Sequence, residues 1–247
     1  MMPPLRSLAE AAPFIAELAV GCARERGVFD LALSGGRTPR GVYAGLCEPA
    51  LRGTVPWEKV RVFWGDERFV PADHPESNFR LAREALLDRV PIPAERVFPI
   101  PTDAPTAAAA AAAYERTLQE AFGVAPFPRF DLMLLGIGAD GHTASLFPGG
   151  PECEERERWV VASRAPAGNL VRERVTLTLP VLNAARVVVF LATGREKRAI
   201  LEQVLAEAAV AAAGRGGPTG SARPERRLLP AERVRPASGR LLWFVDP

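Results

Sequence analysis

The chain of 247 residues has two histidines, and only one of them, His142, is set among glycines. It lies in the run Gly136-Ile137-Gly138-Ala139-Asp140-Gly141-His142-Thr143-Ala144-Ser145-Leu146-Phe147-Pro148, directly after the apolar segment Phe130 to Leu135. Imidazole is the side chain best matched to proton transfer near neutral pH. A carboxylate two residues away, Asp140, can accept from its second nitrogen and fix the tautomer. General-base chemistry at His142, oriented by Asp140, is therefore the first reading, and a polar side chain that merely caps a turn is the second. The run is expected to open a helix, whose N-terminal potential would favour the neutral imidazole. His74 lies in the polar stretch Ala72 to Glu76 and reads as a solvated loop residue.

The same run satisfies a dinucleotide fingerprint through Gly136, Gly138 and Gly141, and misses a P-loop by carrying His142 where lysine should stand. A nicotinamide enzyme wants an acid about 20 residues on, to hold the ribose. Ser163-Arg164 stands there instead. Asp140 would moreover repel a diphosphate, and without its lysine a P-loop loses the charge that reaches the terminal phosphates. No nucleotide cofactor is expected.

Three other turns carry chemistry. Ser34-Gly35-Gly36-Arg37-Thr38-Pro39 reads as a strand end, a glycine pair and a helix start, with Thr38 as N-cap and Pro39 at the first helical position. Glycine lets backbone approach a ligand, and N-terminal N–H groups point at anions; a tight turn before a well-capped helix fits equally. Trp64-Gly65-Asp66-Glu67-Arg68 places two acids and an arginine at a strand end, ahead of Ser77-Asn78 at another helix start. Neighbouring strand residues face opposite ways, so at most one acid faces a ligand. Asp66 is the choice for sugar hydroxyls, with Glu67 left to hold Arg68 or a loop. Arg68 either binds substrate or pairs with a carboxylate. Thr193-Gly194-Arg195-Glu196-Lys197 follows a strand and opens a helix, which puts a mobile charge where a phosphate could sit. Lys59 and Lys197 are the only lysines, the other 29 of the 31 basic residues being arginine, and that scarcity singles Lys197 out.

Short apolar runs alternating with longer helical stretches must position these turns, a pattern of parallel strands with crossover helices. Strands are expected at Phe29 to Leu33, Val60 to Trp64, Phe130 to Leu135, Trp159 to Ala162, Val175 to Leu179, Val187 to Ala192 and Leu241 to Val245. Helices are expected at Ala11 to Glu25, Pro39 to Cys47, Asn78 to Leu87, Thr106 to Phe122 and Glu196 to Ala213. The alanine run Ala107 to Ala113 reads as a helix packed closely on a sheet, and Gly214 to Gly239 as an extended loop. No linker divides the chain, so one domain over 1–247 is expected.

An apolar fraction of 48% and a charged fraction of 24% are those of a globular protein with a sizeable core. A net charge of +2, with acids and bases interspersed, argues against a nucleic-acid partner but leaves room for a small anion. Cys22, Cys47 and Cys153 are odd in number and widely spaced, as free thiols rather than a disulfide framework or zinc site. No targeting segment or apolar stretch long enough to span a membrane stands out, so a cytoplasmic protein without membrane contact is expected.

Ser34-Gly35-Gly36 with Thr38-Pro39, Trp64-Gly65-Asp66-Glu67-Arg68, Ser77-Asn78 and the Gly136 to Pro148 run together resemble the 6-phosphogluconolactonases. Arg174-Val175-Thr176-Leu177-Thr178, Leu182-Asn183 and Gly194-Arg195-Glu196-Lys197 fit the same family, in order. The resemblance implies a three-layer α/β/α fold with a mainly parallel, Rossmann-like sheet, related to the amino-sugar phosphate isomerase/deaminases. It implies hydrolysis of 6-phospho-D-glucono-1,5-lactone in the oxidative pentose phosphate pathway. With only two histidines, far apart, no metal or cofactor is expected. His142 and Asp140 would be catalytic. Ser34, Gly35, Gly36, Thr38, Asp66, Arg68, Asn78, Gly138, Gly141, Arg174 and Lys197 would bind substrate, Arg174 by resemblance to a phosphate-contacting arginine; a strand-edge ion pair is the other reading of that residue. Arg37 stands where the family commonly has serine, and Val171 where prolines usually precede the arginine, so the shape of the phosphate pocket stays open. The amino-sugar phosphate isomerase/deaminases share the Gly-Gly and Asp-Gly-His turns but are expected to follow the histidine with an Asn- and Glu-containing segment. A non-catalytic sugar-phosphate sensor is the remaining alternative.

Overall fold

The computed structural model describes residues 5–123, 125–212 and 227–246, with the side chains of 208–212 left aside. Its strands are β1 (Leu5–Arg6), β2 (Phe29–Leu33), β3 (Val60–Trp64), β4 (Asp66–Arg68), β5 (Leu132–Leu135), β6 (Val160–Arg164), β7 (Glu173–Leu177), β8 (Val187–Thr193) and β9 (Arg240–Asp246). Its α-helices are α1 (Ala11–Arg26), α2 (Arg37–Leu46), α3 (Pro49–Arg52), α4 (Asn78–Ala85), α5 (Ala107–Phe122), α6 (Leu179–Ala184) and α7 (Arg198–Ala212).

Six strands form one parallel sheet in the order β1-β9-β8-β5-β2-β3. Strands β2 and β5 are buried along their whole length, as expected of apolar runs covered on both faces. From β2 the chain steps to β3 on one side, and the next strand it adds to this sheet, β5, lies on the other side of β2. The strand order reverses there, and a crevice opens beyond the carboxyl ends of β2 and β5. This is where ligands sit in open α/β sheets.

A second sheet, antiparallel in the order β4-β7-β6, was not anticipated. The segments expected as Trp159 to Ala162 and Val175 to Leu179 belong to it rather than to the parallel sheet. The latter ends at Leu177, and α6 begins at Leu179 with Pro180 in its first turn, where proline starts helices. Gly65 joins the two sheets: its N–H donates to Leu33 and its carbonyl accepts from Leu177, both at 2.9 Å. The alanine-rich α5 buries Ala107, Ala110, Ala111, Tyr114 and Leu118, a single face at helical spacing, and packs on β6 and β7.

Helix ends mostly follow local chemistry. Ser77 and Thr106 cap α4 and α5 by accepting from Arg80 and Ala109. Gly27, in the left-handed region, ends α1. The start of α2 corrects the sequence reading: Gly36, at φ 108°, is the N-cap, and the helix begins at Arg37, so Thr38 and Pro39 are already inside it. Thr38 instead meets Thr193 at the end of β8, hydroxyl to hydroxyl at 2.8 Å. The segment expected as a helix from Glu196 is a 3₁₀ turn over Arg195–Lys197 followed by α7. Of the expected loop, 214–226 lies outside the described residues, as does the expected helix end at 213, and the remainder contains a 3₁₀ turn, Pro230–Arg233.

Candidate active site

The crevice beyond β2 and β5 is a cleft of about 270 Å³. It is lined by Ser34, Gly35, Gly36, Thr38, Asp66, Arg68, Asn78, Gly138, His142 and Lys197 among the residues singled out in the sequence, together with Arg37, Pro39, Gly136, Ile137, Ala144 and Leu191. Asp140, Gly141 and Arg174 are not among the lining residues.

The Gly136 to Pro148 run does not open a helix, contrary to expectation. It folds back on itself through a Thr143–Leu146 bridge, with Gly138 N–H donating to the His142 carbonyl at 3.0 Å and Gly141 N–H to Gly138 at 2.9 Å. The helix potential invoked for His142 is therefore absent, and its surroundings are local. Asp140 Oδ1 lies 2.6 Å from His142 Nδ1 and accepts from the His142 N–H at 3.1 Å. The bond with the imidazole holds the Asp140 carboxyl below its ordinary range, against the opposing effect of burial. With Asp140 ionised, Nδ1 carries the proton and Nε2 is the basic nitrogen. Gly138 sits directly under this pair: a Cβ there would overlap the imidazole and lie 2.6 Å from Asp140 Oδ1.

Opposite this turn, Gly35 and Gly36 lead into the N-terminus of α2. A Cβ on Gly35 would collide with the Asn78 amide, which explains glycine at that position. The phenol of Tyr43, on α2, accepts from Ser34 N–H at 3.0 Å and donates to the Ser34 carbonyl at 2.7 Å, fixing the end of β2. Tyr114 does the same for Trp64 at the end of β3. Burial pushes both phenols up, so they remain neutral donors. Lys197 is half-buried beside this cradle. Burial lowers its pKa, with Glu196 opposing and Arg37 adding to the effect.

The antiparallel sheet supplies the third side. Asp66 faces the cleft, accepting from Ser145 Oγ at 2.6 Å. Glu67, 1% exposed, turns away and accepts from the N–H groups of Arg68, Asn78 and Phe79, each at 2.7 Å, and from Ser77 Oγ at 3.1 Å. Burial pushes it up to about 7 despite the backbone bonds pulling it down. Arg68 donates to the Glu76 carbonyl at 2.6 Å while lining the cleft. The buried oxygens Ser34 Oγ and Asn78 Oδ1 have no protein partner and belong to residues that line the cleft. Arg174 lies opposite Arg68 in the β4–β7 pairing, 6% exposed and with Nε and Nη1 unpartnered. Its pKa is lowered by burial first and by Arg68 second.

The chain matches, over residues 6–243, the family described as glucosamine-6-phosphate isomerases/6-phosphogluconolactonase. It belongs to this family. The 6-phosphogluconolactonase of Nostoc sp. is 42% identical over 225 residues, 90% of this chain and 84% of the relative. The 6-phosphogluconolactonase of Homo sapiens is 41% identical over 241 residues, 96% and 86% of the two chains. The solved structure of 6-phosphogluconolactonase from Trypanosoma brucei superposes with a TM-score of 0.82 at 30% identity, covering 99% of this chain and 96% of that one. Within the family fold, several site residues escaped the sequence reading. Tyr43 and Tyr114 sit in ordinary helical spacing, and only their tertiary bonds reveal them. Ser145 gave no signal of its own, yet its hydroxyl links the His142 turn to Asp66, its N–H donates to Thr176 Oγ1 on β7, and its carbonyl accepts from Ser163 Oγ on β6. Ala144, at φ 48°, holds a left-handed conformation rare for a residue with a side chain. His74 accepts from Glu76 N–H in its loop, away from the cleft. All three cysteines are free. Among the described residues, no three His, Cys, Asp or Glu side chains are grouped to hold a metal ion, and no helix is long and apolar enough to cross a membrane.

Proposed function

We propose that this chain hydrolyses 6-phospho-D-glucono-1,5-lactone to 6-phospho-D-gluconate, as a single domain over 1–247 acting in the cytoplasm on a small sugar phosphate and not on nucleic acid. The observation that carries the reading is the Asp140–His142 pair at 2.6 Å on one side of a cleft whose other side is the Gly35–Gly36 cradle and Lys197.

The phosphate sits on the N-terminal N–H groups of α2, where helix potential favours an anion, and is paired with Lys197. Ser34, Asp66 and Asn78 meet the sugar hydroxyls. This orientation brings the lactone carbonyl to His142. Nε2 takes a proton from water as the water oxygen bonds to the carbonyl carbon, and Asp140 steadies the imidazolium. The oxyanion is stabilised by N–H groups of the glycine-rich turn and by Arg68. Collapse re-forms the carbonyl, breaks the bond to the ring oxygen and returns the proton from Nε2 to that oxygen, leaving an acid and an alcohol. A lactone is an activated ester, so no covalent nucleophile or metal is required. Arg174, behind Arg68, supports the phosphate reading only at one remove.

The test is lactone hydrolysis by wild type and His142→Ala, each scored against the spontaneous rate. A loss of roughly 10²- to 10⁴-fold is expected for a missing general base. An unchanged rate in the folded variant rejects the assignment, and ammonia release from glucosamine 6-phosphate would move the chain to the isomerase side of its family.

A further inference from the structure

The His142 turn is closed by its own bonds but belongs to no helix or named strand, so its position relative to the rest of the fold depends on contacts from outside. Much of that support comes from the segment Leu229 to Arg233, nearly ninety residues later. Ala231 N–H donates to the Gly141 carbonyl at 3.1 Å. The Leu229 side chain lies over Gly141, so close that a Cβ at position 141 would stand 2.6 Å from Leu229 Cδ1. Gly141 itself is at φ 81° and immediately precedes His142. Farther along the same loop, Glu154 receives both Nη groups of Arg233, at 2.8 and 3.2 Å. One short segment thus grips the loop on both sides of the histidine.

That segment is pinned by a carboxylate. Glu232 is 3% exposed and accepts from Leu229 N–H at 2.7 Å and from Gln203 Nε2, on α7, at 3.3 Å. Burying a carboxylate is unfavourable unless its hydrogen bonds are made, and two of those made by Glu232 close the 3₁₀ turn and tie it to α7. That helix starts one residue after Lys197. We propose that Glu232 is a positioning residue for His142, acting through Leu229, Ala231 and Gly141. The proposal rests on the general-base reading of His142 and deepens it: the same carboxylate links the helix that follows Lys197 to the turn that carries the base.

The test compares Glu232→Ala, Leu229→Ala and Glu232→Gln with wild type, each first shown to be folded by circular dichroism. Misplacing a catalytic group by a fraction of an ångström is expected to lower kcat by roughly 10-fold or more. KM should stay within about threefold, because Gly35, Gly36 and the α2 N-terminus lie on other elements and Glu232 meets α7 at Gln203, not at Lys197. Glu232→Gln should recover most of kcat: its carbonyl still accepts from Leu229, and the Gln203 amide can turn over to accept its new N–H. With two histidines in the chain, the His142 ring signals are readily followed by NMR. They should move in the two alanine variants and not in Glu232→Gln. Wild-type kcat and unmoved ring signals in both folded alanine variants overturn the clamp, as does a loss that Glu232→Gln fails to rescue. If His142→Ala is inactive while the clamp variants are normal, only this inference fails; if His142→Ala is fully active, the reading beneath it fails.

Discussion

The two sides of the cleft are built on different principles. The cradle side, Ser34 to Thr38, continues a fully buried parallel strand into a helix, and it brings the glycine pair and the first N–H groups of α2 to the cleft. Two tyrosines lock the neighbouring strand ends. The His142 side has no strand or helix beneath it after β5 and is assembled from side chains: Asp140 on the imidazole, Thr143 Oγ on the Gly136 carbonyl at 2.9 Å, and Ser145 on Asp66. Backbone donors can hold a phosphate whatever the neighbouring side chains are. A proton relay depends on individual atoms. The contrast implies that substitutions on the His142 side change the chemical step, whereas those on the cradle side change binding.

The sharpest way to break this contrast is Gly138→Ala. The added methyl first meets the His142 and Asp140 side chains, both partly exposed, rather than backbone, so thermal stability should change little. Activity should fall nearly as far as in His142→Ala, on the order of 10² or more in kcat. A melting temperature near wild type together with near-normal kcat would show that the pair tolerates being moved. On the other side, Lys197→Met should raise KM by roughly 10- to 100-fold, the range for a lost charged hydrogen bond, while kcat holds. Steady-state kinetics separate the two outcomes, and an equal fall in kcat would place Lys197 in the chemical step.

How much of this contrast was legible in the sequence follows from the same distinction. The cradle could be read because Gly-Gly before a helix and a lone lysine after a strand are local signals, and the parallel strands announce themselves as continuous apolar runs. The cap at Gly36 was misassigned because Thr38-Pro39 is locally as good a helix start; its hydroxyl is taken instead by Thr193, a partner 155 residues away. The helix expected after Gly141 failed for a related reason. Thr143 and Leu146 pair with each other, and Ser145 is claimed by β4, β6 and β7. The antiparallel sheet was missed because β4 is three residues of charged sequence, Asp66-Glu67-Arg68, with no strand-like apolar pattern. It is supported through Gly65, Glu67 and Ser145, and apart from the Glu67 bond to Arg68 N–H those bonds reach outside the strand.

Glu67 tests whether that sheet is held mainly by one buried acid. Glu67→Gln should destabilise the fold by about 1–3 kcal/mol in urea denaturation, since a Gln amide would point an N–H at one of the backbone donors. Protonated glutamic acid avoids this conflict by donating to Ser77 instead. Its folded pKa of about 7 lies above the unfolded value of 4.5, so the folded state takes up a proton over that interval and the unfolded state does not. This group therefore favours the fold most on the acid side, and the contribution declines as pH rises from 4.5 toward 7. The stability gap between wild type and Glu67→Gln should narrow over that window. A gap that widens would mean the carboxylate is stabilised, not penalised, by its site.

The smallest effect is expected at Arg37. This residue is exposed at the first position of α2 and lines the cleft beside Lys197. Exposed charge pairs contribute about 0–1 kcal/mol, so Arg37→Ser should move KM by no more than about fivefold at physiological salt. The difference should grow at low ionic strength, where screening is weaker. Arg37 also contributes, after burial, to the lowered pKa of Lys197, so its removal shifts that pKa back toward its ordinary value. A tenfold rise in KM that persists in salt would mean that Arg37 grips the phosphate directly. The cradle would then depend on side chains as much as the His142 side does, and the contrast between the two sides would be lost.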